Sequence, residues 1–294
     1  MTDTSATRLD DPGPDLAEDC DGPVQLGLFS PEQQEVEAAW AALGRLELDR
    51  AESLFSGALD RDPESEPSRR GVDAVAYWRA AIEGLAGATA LERASSLWQA
   101  VSRCPPGMLS RPLRRRLLTD VLEPLEMHPG PLPLPELCAG DVLLALGREG
   151  SARAWLEWAV RHEPCAARLQ LLLGDACWLT GAAGPARASY SRGLLLDPTL
   201  ERWHEVAWVD LRRRIQETGG ARAAVELWAE GGLPLPPTTS AGRPHPAVAE
   251  VWRVLADAAD AAAHRRHDET VHHRLRLQSL DPDIFARYME RLEG

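Results

Sequence analysis

The chain has 294 residues, 44% of them hydrophobic, and carries 32 basic against 45 acidic side chains for a net charge of −13. That length can bury a sizeable core in one large or two ordinary domains, and the acidic balance argues against broad, sequence-independent binding to nucleic acid or anionic membrane. The five cysteines, Cys20, Cys104, Cys138, Cys165 and Cys177, include no CxxC pair, so neither a disulfide framework nor a zinc site is expected and a reducing cytoplasm fits best.

Every basic residue is an arginine, and localised basic patches stay open within the acidic total. The amino end lacks the basic and apolar regions of a signal peptide, and no apolar run approaches membrane-spanning length.

In chain order, residues 1–24 read as a disordered acidic tail: residues 1–30 hold Asp3, Asp10, Asp11, Asp15, Glu18, Asp19 and Asp21 against Arg8. Residues 25–31 then place Gln25, Leu26, Leu28 and Phe29 in otherwise polar surroundings. Ser30 reads as a helix cap with Pro31 in the first turn. Phe29 therefore acts either as a hydrophobic staple on the new helix or, with its neighbours, as bait for another protein.

Residues 32–108 carry two degenerate helical units. Ala51, Phe55, Ala58 and Pro63 mark the one at 32–65, and Trp78, Ala94, Trp98 and Pro106 mark the one at 75–108. Residues 109–132 read as an extra helix ending in a proline-rich bend.

The clearest pattern lies in 133–238. Gly140 and Gly174, Gly147 and Gly181, Ala152 and Ala186, Ala159 and Gly193, and Pro164 and Pro198 all fall in one 34-residue register. Apolar residues recur at helical spacing on either side of a glycine turn, and each closing proline stops the second helix. Small residues let the paired helices approach closely, and a hairpin of this kind leaves an apolar face that a neighbour must cover.

Trp208, Leu211, Gly219, Ala224, Trp228 and Pro236 give a further unit after a short offset, residues 239–248 read as a loop, and Trp252, Leu255, Ala256 and Pro282 place the last unit at 249–282. Trp78 and Trp98 have the same 20-residue spacing as Trp208 and Trp228, which suggests one recurring contact between helices. The closing stretch DIFARYMERLEG reads as a helix over the last apolar face.

On these residues the chain resembles the tetratricopeptide repeat family. The resemblance implies an all-α fold, a right-handed superhelical solenoid of helical hairpins, either continuous or in two blocks meeting near residue 130. It also implies a concave groove for a peptide or partner helix, with Arg79, Asp141, Leu171, Asp175, Trp178, Arg213 and Arg253 as groove residues. The Lys and Asn arrangement with which some members clamp a terminal carboxylate is not reproduced.

No nucleotide-binding glycine loop, nucleophile elbow or HExxH occurs in its required context. Catalysis and cofactors are therefore not expected. The most enzyme-like stretch, HRRHDETVHH, sets His264, His267, His272 and His273 beside Asp268 and Glu269, and helical spacing pairs Asp268 with His272 and Glu269 with His273. It is weighed as a metal site against an exposed turn. Arg114, Arg115 and Arg116, and Arg212, Arg213 and Arg214, read as solvated or ion-paired helix faces, so direct nucleic-acid binding is not expected.

Finally, QLGLF resembles the short peptide with which bacterial replication and repair proteins dock on the sliding clamp. Gln25, Leu26, Leu28 and Phe29 match, and Gly27 stands where Ser or Asp is favoured. Three readings result: a non-catalytic protein-interaction scaffold, a sliding-clamp-associated adaptor, and a metal-binding protein or enzyme built on the histidines.

Overall fold

The computed structural model describes residues 31–128, 130–237 and 242–293, without the side chains of Pro31 and Glu32. The acidic stretch 1–24, the segment Gln25 to Phe29 and the expected cap Ser30 lie outside the described residues. Within them the protein is all-α. Fourteen α-helices and one 3-10 turn follow one another, and the described residues contain no strand.

The helices are α1 (Pro31–Gly44), α2 (Leu48–Arg61), α3 (Glu66–Glu83), α4 (Ala90–Arg103) and α5 (Arg111–Glu126). After the proline-rich bend come α6 (Ala139–Ala145), α7 (Glu149–His162), α8 (Ala167–Leu179) and α9 (Ala183–Leu196). A 3-10 turn (Glu201–Glu205) leads to α10 (Val209–Thr218), α11 (Gly220–Glu230), α12 (Pro246–Ala263), α13 (His267–Leu280) and α14 (Pro282–Glu293).

Local chemistry sets several of these boundaries. Thr89 and Glu92 form a reciprocal capping box at the start of α4, and Ser110 caps α5 ahead of Pro112. Gly147 and Gly181 turn the chain between α6 and α7 and between α8 and α9 with φ of 69° and 78°, a left-handed backbone that other residues adopt only at a cost.

The helices pack chiefly on their neighbours in sequence. A Cβ on Gly140 would lie 2.7 Å from Leu156 Cδ2, and one on Gly174 would lie 2.5 Å from Tyr190 Cδ1. Each first helix thus lets a bulky side chain of the second sit directly on its backbone, and the two hairpins share this arrangement position for position.

The apolar interior forms two clusters. One joins α1, α2, α3 and the start of α5 around Phe55, Trp78, Leu113 and Leu117; the other runs from Ala94 of α4 and Leu118 and Val121 of α5 to Tyr288 of α14. Leu117 and Leu118 are consecutive, so α5 belongs to both, and Leu97 and Val101 of α4 also touch both. The seam therefore runs through α4 and α5, not near residue 130, because the wide leucine stripe of α5 has two sides to offer.

Two further expectations are corrected. The 75–108 segment is not a tight hairpin: α3 starts at Glu66 and packs on α2, α4 packs on α5, and α3 and α4 meet only slightly. Trp78 lies in the first cluster and donates its indole N–H to the Met108 carbonyl at 2.9 Å, whereas Trp98 packs against the second. Their spacing in sequence therefore does not report a shared contact. Helix α14 folds back across α11 as well as α13, leaving Val271, Leu275 and Leu280 of α13 exposed.

Candidate partner-binding groove

The ends of α8 and α10 are brought together by stacked indoles. Trp178, in the last turn of α8, lies 4.9 Å from Trp208, the residue that opens α10, with 19° between the ring planes. Tyr190 of α9 flanks Trp208 at 6.2 Å, and the Arg187 guanidinium sits 5.3 Å over the same ring. The residue after each stacked ring is apolar and open to solvent: Leu179 is 53% exposed and Val209 59%.

From Trp208 a cleft of about 440 Å³ continues between α10, α11 and α14, lined by Asp210, Arg213, Arg214, Glu217 and Arg287 among others. Its floor is an ion-pair network around the buried Glu226, which meets Arg214 at 3.0 Å and Arg222 at 2.9 Å. Glu230 adds pairs with Arg214, at 3.2 Å, and with Arg287, while Arg222 also reaches Asp281. Burial pushes the Glu226 carboxyl upward, but Arg214, Arg222 and Arg287 outweigh it and hold the group below its ordinary range.

Beneath this surface two aspartates, at matching positions of α6 and α8, tie successive units together. Asp141 of α6 accepts from the Cys138 backbone N–H at 2.9 Å and from the Arg168 guanidinium of α8 at 2.7 Å, with Arg202 3.4 Å away. Asp175 of α8 accepts from the Tyr190 hydroxyl at 2.7 Å and from the Ala207 N–H at 2.8 Å. Burial raises the Asp175 carboxyl above its ordinary value even though Ala207, Tyr190 and Arg202 oppose the shift. Burial, with the nearby carboxylates, also pushes Cys138 and Tyr190 upward, so neither ionises to a nucleophile near neutral pH.

These contacts redistribute the expected groove residues. Asp141, Leu171 and Asp175 are interior, because their helix faces turn toward the adjoining units. Arg79 of α3 pairs with Asp49 and Glu52 of α2, at 2.8 and 2.9 Å, among the amino-terminal helices. Arg253 is exposed on α12. Trp178 and Arg213 remain together, one stacked on Trp208 and the other lining the cleft that Trp208 opens.

The histidines do not converge. His264 pairs with Asp260 one turn back at 3.2 Å, His272 and His273 lie edge to face with each other at 5.5 Å, and His267 is exposed at the start of α13. Arg266 engages both Asp260 and Glu269, drawing those carboxylates to itself. Among the described residues no group of three or more His, Cys, Asp or Glu side chains is placed to hold a metal ion.

The network of Arg214, Glu226, Glu230 and Arg287 was not singled out from sequence. Its local signals were the arginine run ending at Arg214, read as solvated or ion-paired, and the Arg222 and Glu226 spacing on one helix, whereas Arg287 comes from a helix 57 residues beyond Glu230. No helix among the described residues is long and apolar enough to cross a membrane. No family model and no curated protein sequence matches the chain.

Proposed function

We propose that the protein is a non-catalytic interaction scaffold, a solenoid of tetratricopeptide-like hairpins that holds an extended peptide or partner helix in the groove beside Trp178 and Trp208. The observation that carries this reading is the repeated packing device: Gly140 under Leu156 and Gly174 under Tyr190, each followed by a left-handed glycine turn. Such a device serves stacking of like units, and stacked units offer an elongated surface. Leu179 and Val209 supply apolar anchors, while Arg213, Asp210 and Glu217 supply a polar rim. That composition suits a short amphipathic peptide.

The test is selection of peptides from a displayed library on the full chain, followed by titration of the selected peptides against a Leu179→Glu, Val209→Glu variant and an Arg213→Glu variant. The reading expects affinity to fall about tenfold or more in the double variant, with helical content and melting temperature kept. Peptides that bind both variants as they bind the parent would place the partner site elsewhere.

A second reading, an adaptor for the bacterial sliding clamp, rests on Gln25, Leu26, Leu28 and Phe29 and on their position ahead of Pro31, where the described helices begin. Calorimetry of the full chain with a bacterial sliding clamp, beside a Leu28→Ala, Phe29→Ala variant, tests it. Heat of binding lost in the variant supports the adaptor, and no binding by the parent removes it.

A further inference from the structure

Helix α5 carries a cation surplus that the described residues do not neutralise. Arg111, Arg114 and Arg115 are exposed and lie at three- and four-residue spacings on one face. None of the three pairs with a carboxylate among the described residues, whereas Arg116 next to them has Asp120 at 3.2 Å. The surplus sits in the first two turns of the helix, and the first turn holds no acid. Positive charge is least favourable there, both through like-charge repulsion and through the helix macrodipole.

Arg111, Arg115 and Arg116 with Pro112 and Thr119 line a shallow groove of about 560 Å³. This is an unusual feature in a chain of net charge −13.

We propose that this face is the docking surface for the protein's own acidic segment Asp10–Asp21. That segment holds Asp10, Asp11, Asp15, Glu18, Asp19 and Asp21 and no basic residue, the complement of the arginine face in sign.

The connection is short enough. Helix α1 packs on α5, with Gly44 at its far end close against Pro112. Its 14 residues put Pro31 about 21 Å from that end. Ten residues separate Asp21 from Pro31, and a chain of that length spans up to about 33 Å. The chain is therefore long enough for Asp21 to reach the groove, and longer still for the acids before it. Because the partner is tethered, even weak pairs act at high effective concentration.

The experiment places a nitroxide on Cys20 in the full chain, with Cys104→Ser and Cys165→Ser substituted and the buried Cys138 and Cys177 kept. The amide signals of residues 111–119 are then recorded at about 50 mM and about 500 mM salt. The expected result is about a twofold or greater loss of their intensity at low salt, recovered at high salt and abolished in an Arg111→Gln, Arg114→Gln, Arg115→Gln variant.

Unattenuated signals at low salt overturn the proposal, as does equal attenuation in the arginine variant. A face that stays open in the full chain and instead binds a short single-stranded DNA, with binding lost in the arginine variant, is a phosphate-binding surface, and the acidic segment is not its occupant.

Discussion

The Tyr190 hydroxyl donates to Asp175 Oδ1 at 2.7 Å, and the same oxygen accepts the Ala207 N–H at 2.8 Å. One buried carboxylate thus joins α8, α9 and the segment that leads into α10, and it fixes the approach of Trp208 to Trp178. Groove geometry and interior hydrogen bonding are one structure here.

Replacing Tyr190 with Phe removes the hydroxyl but keeps the ring that rests on Gly174. The expected loss is about 1–3 kcal/mol, the cost of leaving a buried acceptor under-satisfied. Urea unfolding of the variant beside the parent checks it. A change near zero would mean that Asp175 is served by Ala207 alone.

The same carboxylate gives a pH dependence. Burial raises the folded value of Asp175 above the ordinary 3.8, so the folded state binds this proton more tightly than the unfolded chain does. Its contribution to stability is fully present below the ordinary value and is lost as pH rises through the folded value. Asp175→Asn keeps an acceptor and removes the titration. The difference in unfolding free energy, parent minus variant, should fall as pH rises from the ordinary value of 3.8, and a flat difference would sink the assignment.

Glycine at the helix contacts makes a third prediction. Gly174→Ala puts a methyl group 2.5 Å from the Tyr190 ring, where no side chain fits without displacement. Overpacking of this kind costs about 1–3 kcal/mol, against a helix-propensity gain of about 1 kcal/mol. Net destabilisation in urea is expected for Gly174→Ala, whereas Gly184→Ala on α9, with nothing near its added carbon, should be neutral or stabilising.

How much of this was legible in the sequence follows from the range of each contact. The all-helical character was legible, since apolar residues recur at helical spacing between glycine turns and prolines. The small size demanded of Gly140 and Gly174 was legible too, because the 34-residue register repeats it. The burial of Asp141 and Asp175 was not. A charged residue on a first helix reads as solvent-facing until its partners are known, and those stand 27, 15 and 32 residues away in Arg168, Tyr190 and Ala207. The return of α14 buries Ile284 and Tyr288, an apolar face that is legible, but its place on α11 also brings Arg287 to Glu226 and Glu230, a pairing of distant residues that leaves no periodic trace. Likewise α3 and α4 carry repeat-like tryptophans, yet α5 offers α4 a better apolar surface than α3 does.

The cleft itself should loosen in acid. Although burial alone would raise it, Glu226 is held below its ordinary value of 4.5 by Arg214, Arg222 and Arg287. Its folded state therefore binds the proton less readily than the unfolded chain, and the stability it contributes is present above the ordinary value and is lost as pH falls through the folded one. Glu226→Gln imposes the protonated condition at neutral pH. It leaves three half-exposed arginines with fewer partners, at an expected cost of about 1–3 kcal/mol given their access to water.

Hydrogen exchange locates the effect. Amides of α11 and α14 should exchange faster in the variant at neutral pH, while those of α1 and α2, in the other apolar cluster, stay as slow as in the parent. Uniform acceleration along the chain would show that Glu226 supports the whole fold and not the junction that closes the cleft.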